Sequence, residues 1–514
     1  MPRVKIWVRW IGLLWAAVLL AAAAPSVAAS PTPAGGAEAH AKPNFIVILT
    51  DDLDTKSAEF MPRLTALLAK PGTTFTNYFV TDSLCCPSRA SLLRGQYPHN
   101  HQVLSNHPPE GSFEKFYKLG EEQSTIATWL QAAGYRTVLL GKYLNAYIGK
   151  EPVDAPSRWD GWYERVKDYV EGKPLYVPPG WDEWYASINH HTKYFHYQLN
   201  ENGRAVSYGR GAHEYETDVL AAKTVDFIAR TGAKGKQPFF IYLAPAAPHT
   251  PAVPAPRHAE EFPRATVPET ASFNEANLSG KPAWLQAKPL LSAEDILDID
   301  RLYRRRLQSM LAVDEMIEKI VDALRAHGLL DHTYIFFTSD NGFHLGEHRL
   351  KLGKATAYEE DIRVPLIVRG PGVPAGKTLP HLALNIDLAP TLAELAGIAA
   401  PAFVDGRSLG PLLTSAPPSP HAWRDDFLVE FWPHRPGYAA VHDPGYVALR
   451  TRDHLYVEYG TGERELYDLR VDPDELHNVV NAVNPGVLAQ LSKRVNELKH
   501  CAAETCRHGT AGLL

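Results

Sequence analysis

Four short runs of nearly unbroken apolar, β-branched and aromatic residues stand out along the chain, at 45–50, 137–140, 238–243 and 334–338. Between them apolar residues recur every three or four positions. A run of that length without polar alternation suits a strand buried on both faces of a parallel sheet. The three-to-four spacing predicts helices over 124–134, where Ile126, Trp129, Leu130 and Ala133 share a face and Gly134 is the stop, over 216–230 and over 292–327. A further strand is expected over 364–368 and a helix over 385–397, ended by Gly397. Strands alternating with helices in this way give an α/β fold with a large, mostly parallel central sheet.

The pattern changes after the proline-rich stretch 411–420, which reads as a linker. Three short strands (446–450, 455–459, 464–468) and a helix (485–498) predict a smaller C-terminal α+β subdomain over 421–514. The main domain is then 43–410. Within it, 159–184 carries Trp159, Trp162, Trp181 and Trp184 amid proline and glycine without a period, a packed insertion whose tryptophans are expected to form its own small core. Arg304, Arg305 and Arg306, the only arginine triplet, are expected on the solvated side of the long helix.

The N-terminus adds compartment. Arg3, Lys5 and Arg9 precede an apolar run over 11–24 and small residues at Val27, Ala28 and Ala29. That is the pattern of a secretory signal peptide, 1–29, cleaved near Ala29 and too short for a comfortable membrane span. Residues 30–42 read as a disordered spacer, and the lack of a nearby cysteine argues against a lipid anchor, so no stable membrane anchor is expected. Export permits disulfides, and of the four cysteines Cys501 and Cys506 are placed to close a small loop. With 514 residues, a net charge of -6 and no long basic stripe, nucleic acid is excluded as a partner.

The candidate chemistry falls just beyond the apolar runs. Asp51, Asp52 and Asp54 follow the first, Lys142 the second, and Ser339, Asp340, Asn341, Gly342, Phe343 and His344 the fourth. His249 lies on a proline-stiffened loop after the third. Ligands gather beyond the carboxyl ends of strands in open α/β sheets, and a hard cation needs about six oxygens drawn from separated segments. Cys85 is followed by Pro87, Ser88 and Arg89 and an apolar run, so its thiol should head a helix whose N-terminus, with Arg89, favours anions. Lys354 lies ahead of the 364–368 strand. Taken singly, each has a plainer reading: a buried cysteine pair, a helix cap or Asx turn, a solvated lysine, a loop histidine.

Taken in order, the stretches around Asp51-Asp52, Cys85-Cys86-Pro87-Ser88-Arg89, Gly141-Lys142-Tyr143, Pro248-His249-Thr250, Ser339-Asp340-Asn341-Gly342 and Lys354 resemble the sulfatase family over nearly the whole chain. Within it, the segments at 141–145, 339–344 and 501–507 look most like the N-acetylglucosamine-6-sulfatases. The chain differs from the common family pattern at Leu144, where many members have histidine, and at Arg94, where the motif usually has threonine.

The resemblance implies a sandwich fold like that of alkaline phosphatase, and hydrolysis of a sulfate ester of a sulfated sugar or aryl alcohol. It implies that a formylglycine-generating enzyme oxidises Cys85 to an aldehyde. It further implies that Asp51, Asp52, Asp340 and Asn341, with the hydrated formylglycine from Cys85, hold Ca²⁺. Arg89 and Lys142 would then hold and polarise the formylglycine, and Lys354 and His249 would contact the sulfate and the leaving oxygen. His249 is expected to be the general acid, with His344 the alternative. Two rival readings are a phosphate or phosphonate ester hydrolase of the same fold and a glycan-binding protein without turnover.

Overall fold

The first apolar run forms the central strand of the molecule. The computed structural model describes residues 42–148, 174–188, 193–234, 237–433 and 444–508. The expected leader (1–29), the expected spacer up to 41, Trp159 and Trp162 lie outside the described residues. Among the described residues no helix is long and apolar enough to cross a membrane.

Strands are numbered along the chain: β1 (Asn44–Thr50), β2 (Thr73–Phe75), β3 (Tyr78–Phe79), β4 (Arg136–Gly141), β5 (Glu183–Ile188), β6 (Tyr197–Glu201), β7 (Arg204–Tyr208), β8 (Phe239–Ala244), β9 (Thr333–Ser339), β10 (Leu366–Arg369), β11 (Lys377–Leu379) and β12 (Ala383–Leu384). Ten of them make one sheet in the order β11-β2-β10-β9-β1-β8-β4-β5-β6-β7. β1 runs parallel to both neighbours, with Phe45 opposite Tyr334 of β9 and Phe240 of β8. β4 is parallel to β8 and to β5, whereas β10 and β6 turn antiparallel on either side. The carboxyl ends of β1, β4, β8 and β9 therefore share one edge. This is the large mixed, mostly parallel sheet expected from the apolar runs.

Period-two alternation along β1 divides the core between two faces. Phe45, Val47 and Leu49 pack with Phe240, Tyr242 and Phe336 toward the cysteine helix (Cys85–Arg94) and the C-terminal strands. Ile46 and Ile48 pack with Ile241, Leu243 and Phe337 toward the helices Glu216–Lys234 and Ala293–Ala326. Helices on both faces cover a sheet whose central strands are wholly buried. The long helix is capped by Ser292, whose hydroxyl accepts from the Asp295 N–H.

Several details differ from the sequence expectation. β10 begins after Pro365, because proline has no N–H to give the ladder. Residues 385–387 are a tight 3₁₀ turn that leads into the helix Leu388–Leu395. Trp181 and Trp184 do not form a separate small core; Trp184 lies on β5, and both rings pack among Tyr143, Tyr147, Phe240 and Tyr242 in the main core. Arg306 is fully buried rather than solvated. It sits one turn from Leu302, Tyr303 and Met310 on the inward stripe of its helix, and donates to the Asp52 carbonyl at 2.5 Å and to Asp54 Oδ2 at 3.0 Å.

The C-terminal part is a four-stranded antiparallel sheet, β13 (Asp426–Phe431), β14 (Tyr446–Thr451), β15 (His454–Tyr459) and β16 (Arg464–Asp468), with the helix Pro485–Leu498 packed on it. β13 is a strand that the sequence pattern alone does not announce. Cys501 and Cys506 form the expected disulfide.

Candidate active site

At the end of β1 the chain turns sharply, and Asp52 takes a left-handed backbone conformation with φ of 68°. Aspartate tolerates that region better than most residues, and the turn is held from three directions. The Asp51 N–H donates to the Ala247 carbonyl (3.1 Å), the Asp52 N–H to Asp340 Oδ1 (3.1 Å) and the Leu53 N–H to Ser339 Oγ (2.8 Å). The loops after β8 and β9 thus fix the aspartates that follow β1.

Cys85 is the first residue of its helix, with Leu84 as an extended N-cap and Gly95 as a left-handed C-cap. Its Sγ lies 3.6 Å from Asp51 Oδ1 and 3.9 Å from Asp52 Oδ1. Arg89, one turn on, is wholly buried; its Nε donates to Asp340 Oδ2 (2.8 Å) and a terminal nitrogen donates to the Lys142 carbonyl (2.9 Å). Lys142 reaches Asp51 Oδ2 at 2.6 Å. It leaves β4 through Gly141, at φ of 95°, where a Cβ would stand 2.0 Å from the Ala244 carbonyl oxygen. Only glycine lets β4 lie this close to β8.

Lys354 arrives from the far loop. An antiparallel bridge joins His344 to Gly353, and a Cβ on Gly353 would meet His344 Nε2 at 2.8 Å. The bridge delivers Lys354 Nζ to 2.6 Å from Cys85 Sγ and into contact with Asp52 Oδ1. His249, a quarter exposed, places Nε2 3.6 Å from Asp52 Oδ2 while Nδ1 lies 2.7 Å from the Thr250 carbonyl. His344 is turned instead toward Asp361, with Nδ1 at 3.1 and 3.0 Å from its two carboxylate oxygens.

Three cations thus face three carboxylates around one sulfur. Burial alone would raise Asp51, yet Lys142, His249 and Arg89 together hold it well below the usual carboxylate range. Asp52 is lowered too, burial being outweighed by Lys354 and His249. Asp340 goes the other way, raised by burial and by Asp51 against the pull of Arg89. Burial pushes the Cys85 thiol up to about 12, despite both lysines. An unmodified Cys85 would therefore be a neutral thiol near pH 7, a poor nucleophile.

One ligand atom each from Asp51, Asp52, Cys85 and His249 falls within 4.8 Å of the others. Beside them Asn341 donates through Nδ2 to Asp52 Oδ1 (2.8 Å), while its Oδ1 is buried without a hydrogen-bond partner. Two hard carboxylates with an unsatisfied amide oxygen, and Asp340 adjoining, fit a hard divalent cation such as Ca²⁺. The structure therefore brings Asp51, Asp52, Cys85, Arg89, Lys142, His249, Asp340, Asn341 and Lys354 together, and sets His344 behind Lys354 on Asp361. Cys86 points into the core; its backbone N–H donates to Asn106 Oδ1 at 2.8 Å. Arg94 stacks 4.2 Å over Phe403 and donates to the carbonyls of Glu121 (2.9 Å) and Ser124 (2.7 Å), a packing role at the far end of the helix.

Sequence reading missed two supports of this site. Arg306 holds the Asp52 carbonyl, and its place on the apolar stripe with Leu302 and Met310 was the available signal. Asp361 carries no motif; it accepts from the Thr356 N–H and hydroxyl as well as facing His344.

Comparison with known proteins agrees with this geometry. The Sulfatase family pattern matches residues 43–398, and that of the N-sulphoglucosamine sulphohydrolase C-terminal region matches 346–501. The chain is 35% identical to the N-acetylglucosamine-6-sulfatase of Homo sapiens, over 92% of this chain and 87% of that protein. It is 35% identical to an arylsulfatase of Volvox carteri, over 91% and 76%. A solved structure in complex with its substrate D-glucosamine-2-N,6-O-disulfate superposes with a TM-score of 0.72 at 25% identity, over 89% of this chain and 97% of that one. The chain belongs to the sulfatase family, hydrolases of sulfuric esters.

Proposed function

We propose that this sulfatase is an exported enzyme that removes sulfate from a sulfated amino sugar, using a formylglycine made from Cys85 and a bound Ca²⁺. The observation that carries the reading is the thiol of Cys85, buried at a helix N-terminus amid three carboxylates and three cations. The leader pattern of 1–29 supports export, and the sulfated glucosamine substrate of the structural relative supports the sugar class.

Asp51, Asp52, Asp340 and Asn341 would hold the Ca²⁺, which would neutralise non-bridging oxygens of the sulfate. The aldehyde hydrate formed from Cys85 would supply one hydroxyl as the nucleophile and a second through which the site resets. The protein's own groups do the rest. Lys142 and Arg89 keep Asp51 ionised. Lys354, already beside the sulfur, takes a sulfate oxygen as its partner. His249 donates Nδ1–H to the Thr250 carbonyl and turns Nε2 to the site, so that the imidazolium form would deliver its Nε2 proton to the departing alcohol oxygen and be left neutral. Burial of Cys85 and both aspartates excludes bulk water and strengthens each of these interactions.

Mass spectrometry of the peptide carrying Cys85, with rates on N-acetylglucosamine 6-sulfate and on aryl sulfate, phosphate and phosphonate esters, tests the reading. The aldehyde mass and faster turnover of sulfate than of phosphate or phosphonate esters are expected. Unconverted thiol throughout an active preparation, or faster phosphate turnover, would sink it.

A further inference from the structure

On the other side of the loop that carries Lys354, three ligand-grade side chains converge inside the protein. A ring nitrogen of His348 and one carboxylate oxygen each from Glu360 and Glu475 lie within 4.8 Å of one another. His348 Nε2, Glu360 Oε2 and Glu475 Oε1 are buried atoms without a hydrogen-bond partner. His348 and Glu475 are each only 1% exposed. Buried polar atoms are nearly always satisfied, so three orphans facing one another need a common partner.

We propose that His348, Glu360 and Glu475 form a second metal site, separate from the catalytic one, that takes a divalent transition-metal ion of the Zn²⁺ type. The groups that hold the ligands from behind support it. His348 Nδ1 lies 2.8 Å from Glu275 Oε2, the carboxylate–histidine pairing that fixes the tautomer and leaves the Nε2 lone pair for a metal. The other oxygen of Glu475 accepts from the Glu359 N–H at 3.1 Å, which orients the carboxylate. Burial, with Lys281 and His344 nearby, holds His348 well below its usual range. Burial and the neighbouring Glu347 push Glu360 up to about 8, and burial with Glu360 and Glu359 pushes Glu475 upward. Lys281 is not the common partner, since its ammonium is held by the Tyr467 hydroxyl and the Glu475 carbonyl and lies over the Tyr358 and Tyr467 rings.

A nitrogen ligand selects a borderline-soft ion over Ca²⁺ or Mg²⁺. Ligand distances of about 2.0–2.2 Å need only a contraction on the order of 1 Å by three side chains, with water able to complete a tetrahedron. Entry is available through an adjoining cavity of about 140 Å³ lined in part by Glu347, Glu360 and Asp474. His348 and Glu360 bracket the loop that carries Lys354, and Glu475 belongs to the C-terminal subdomain. The ion would brace one against the other, a positioning role.

The test uses the full-length enzyme, saturated with Ca²⁺ to fill the catalytic site and stripped of other metals. Zn²⁺ is titrated calorimetrically and counted by elemental analysis after desalting. One Zn²⁺ per chain is expected, with a rise in Tm; Glu360→Gln and Glu475→Gln should weaken binding at least about tenfold. Asp52→Asn, at the catalytic site, should leave it unchanged. Glu360→Gln is isosteric and only part-buried, so it keeps the test open if Glu475→Gln fails to fold. Absence of Zn²⁺ uptake by the parent overturns the proposal, as does equal uptake by Glu360→Gln, loss in Asp52→Asn alone, or filling by Ca²⁺ in preference to Zn²⁺.

Discussion

His249 is the most exposed side chain of the cysteine cluster, at a quarter against 13% for Lys354, where Asp51, Cys85 and Lys142 are sealed. An exposed imidazole at the mouth suits contact with the leaving oxygen, whereas the sealed groups suit the sulfate. Its removal should therefore matter in proportion to how much the leaving group needs a proton. For His249→Ala, turnover of a sugar sulfate is expected to fall on the order of 10²–10⁴-fold, and turnover of nitrophenyl sulfate much less. Measuring kcat/KM on both esters decides it; equal losses would remove His249 from the acid role. Such single-residue assignments were partly legible in sequence. Asp51, Asp52, Asp340 and Asn341 sit at strand ends, and strand ends are readable from apolar runs. Asp361 and Glu275 were not, because a lone carboxylate acquires its meaning only from what folds against it.

At the scale of elements, the cysteine helix is held in place by the short helix Pro98–His101 that follows it. His101, fully buried, takes the Val103 N–H at Nδ1 (3.1 Å) and sets Nε2 2.9 Å from Ser91 Oγ. Nδ1 must accept, so the ring is neutral, and burial with Arg94 nearby lowers its pKa to about 3. The unfolded chain binds that proton near pH 6.5. The stabilisation from keeping His101 neutral is thus fully present above about 6.5 and is lost as pH falls toward 3. Between pH 7 and 5 the loss from this group should be about 2 kcal/mol. Urea unfolding at both pH values should show the parent losing that much more than His101→Gln; equal losses would mean that His101 titrates normally in the fold. The elements themselves were unevenly legible. Continuous runs announce the central parallel strands, but β2 and β11 are three residues each, too short to show a period. β6 (YQLNE) and the edge strand β7 (RAVSY) mix polar and apolar residues at five residues each, too short a run to set them apart from the surrounding loop.

For the whole molecule, the question is how the C-terminal sheet is joined to the catalytic domain. Arg450 on β14 donates to Glu359 Oε1 at 2.7 Å and lies 5.0 Å over the Phe79 ring, while the Tyr358 hydroxyl donates to Glu465 Oε1 on β16 at 2.9 Å. Arg424 and Asp387 make a second buried, bidentate pair from 2.6 and 2.8 Å contacts. These are charges taken from water and matched across the junction. A buried pair contributes little over a well-packed apolar substitute, but removing one partner strands the other and costs about 3–5 kcal/mol. Arg450→Met fills much of the same volume and leaves the buried Glu359 carboxylate with only the longer 3.4 Å pair to Arg363, having lost the stronger of the two cations that lower it against the effect of burial. The variant should lose about 3–5 kcal/mol in urea unfolding. If the junction makes both parts one cooperative unit, hydrogen exchange in urea should release peptides from β1 and from β14–β16 at the same denaturant concentration in the parent. In Arg450→Met the C-terminal strands should open first, because the loss falls on the junction and spares the core beneath β1. A loss under about 1 kcal/mol, or early release of the C-terminal strands in the parent itself, would show that the apolar contacts alone hold the two parts together.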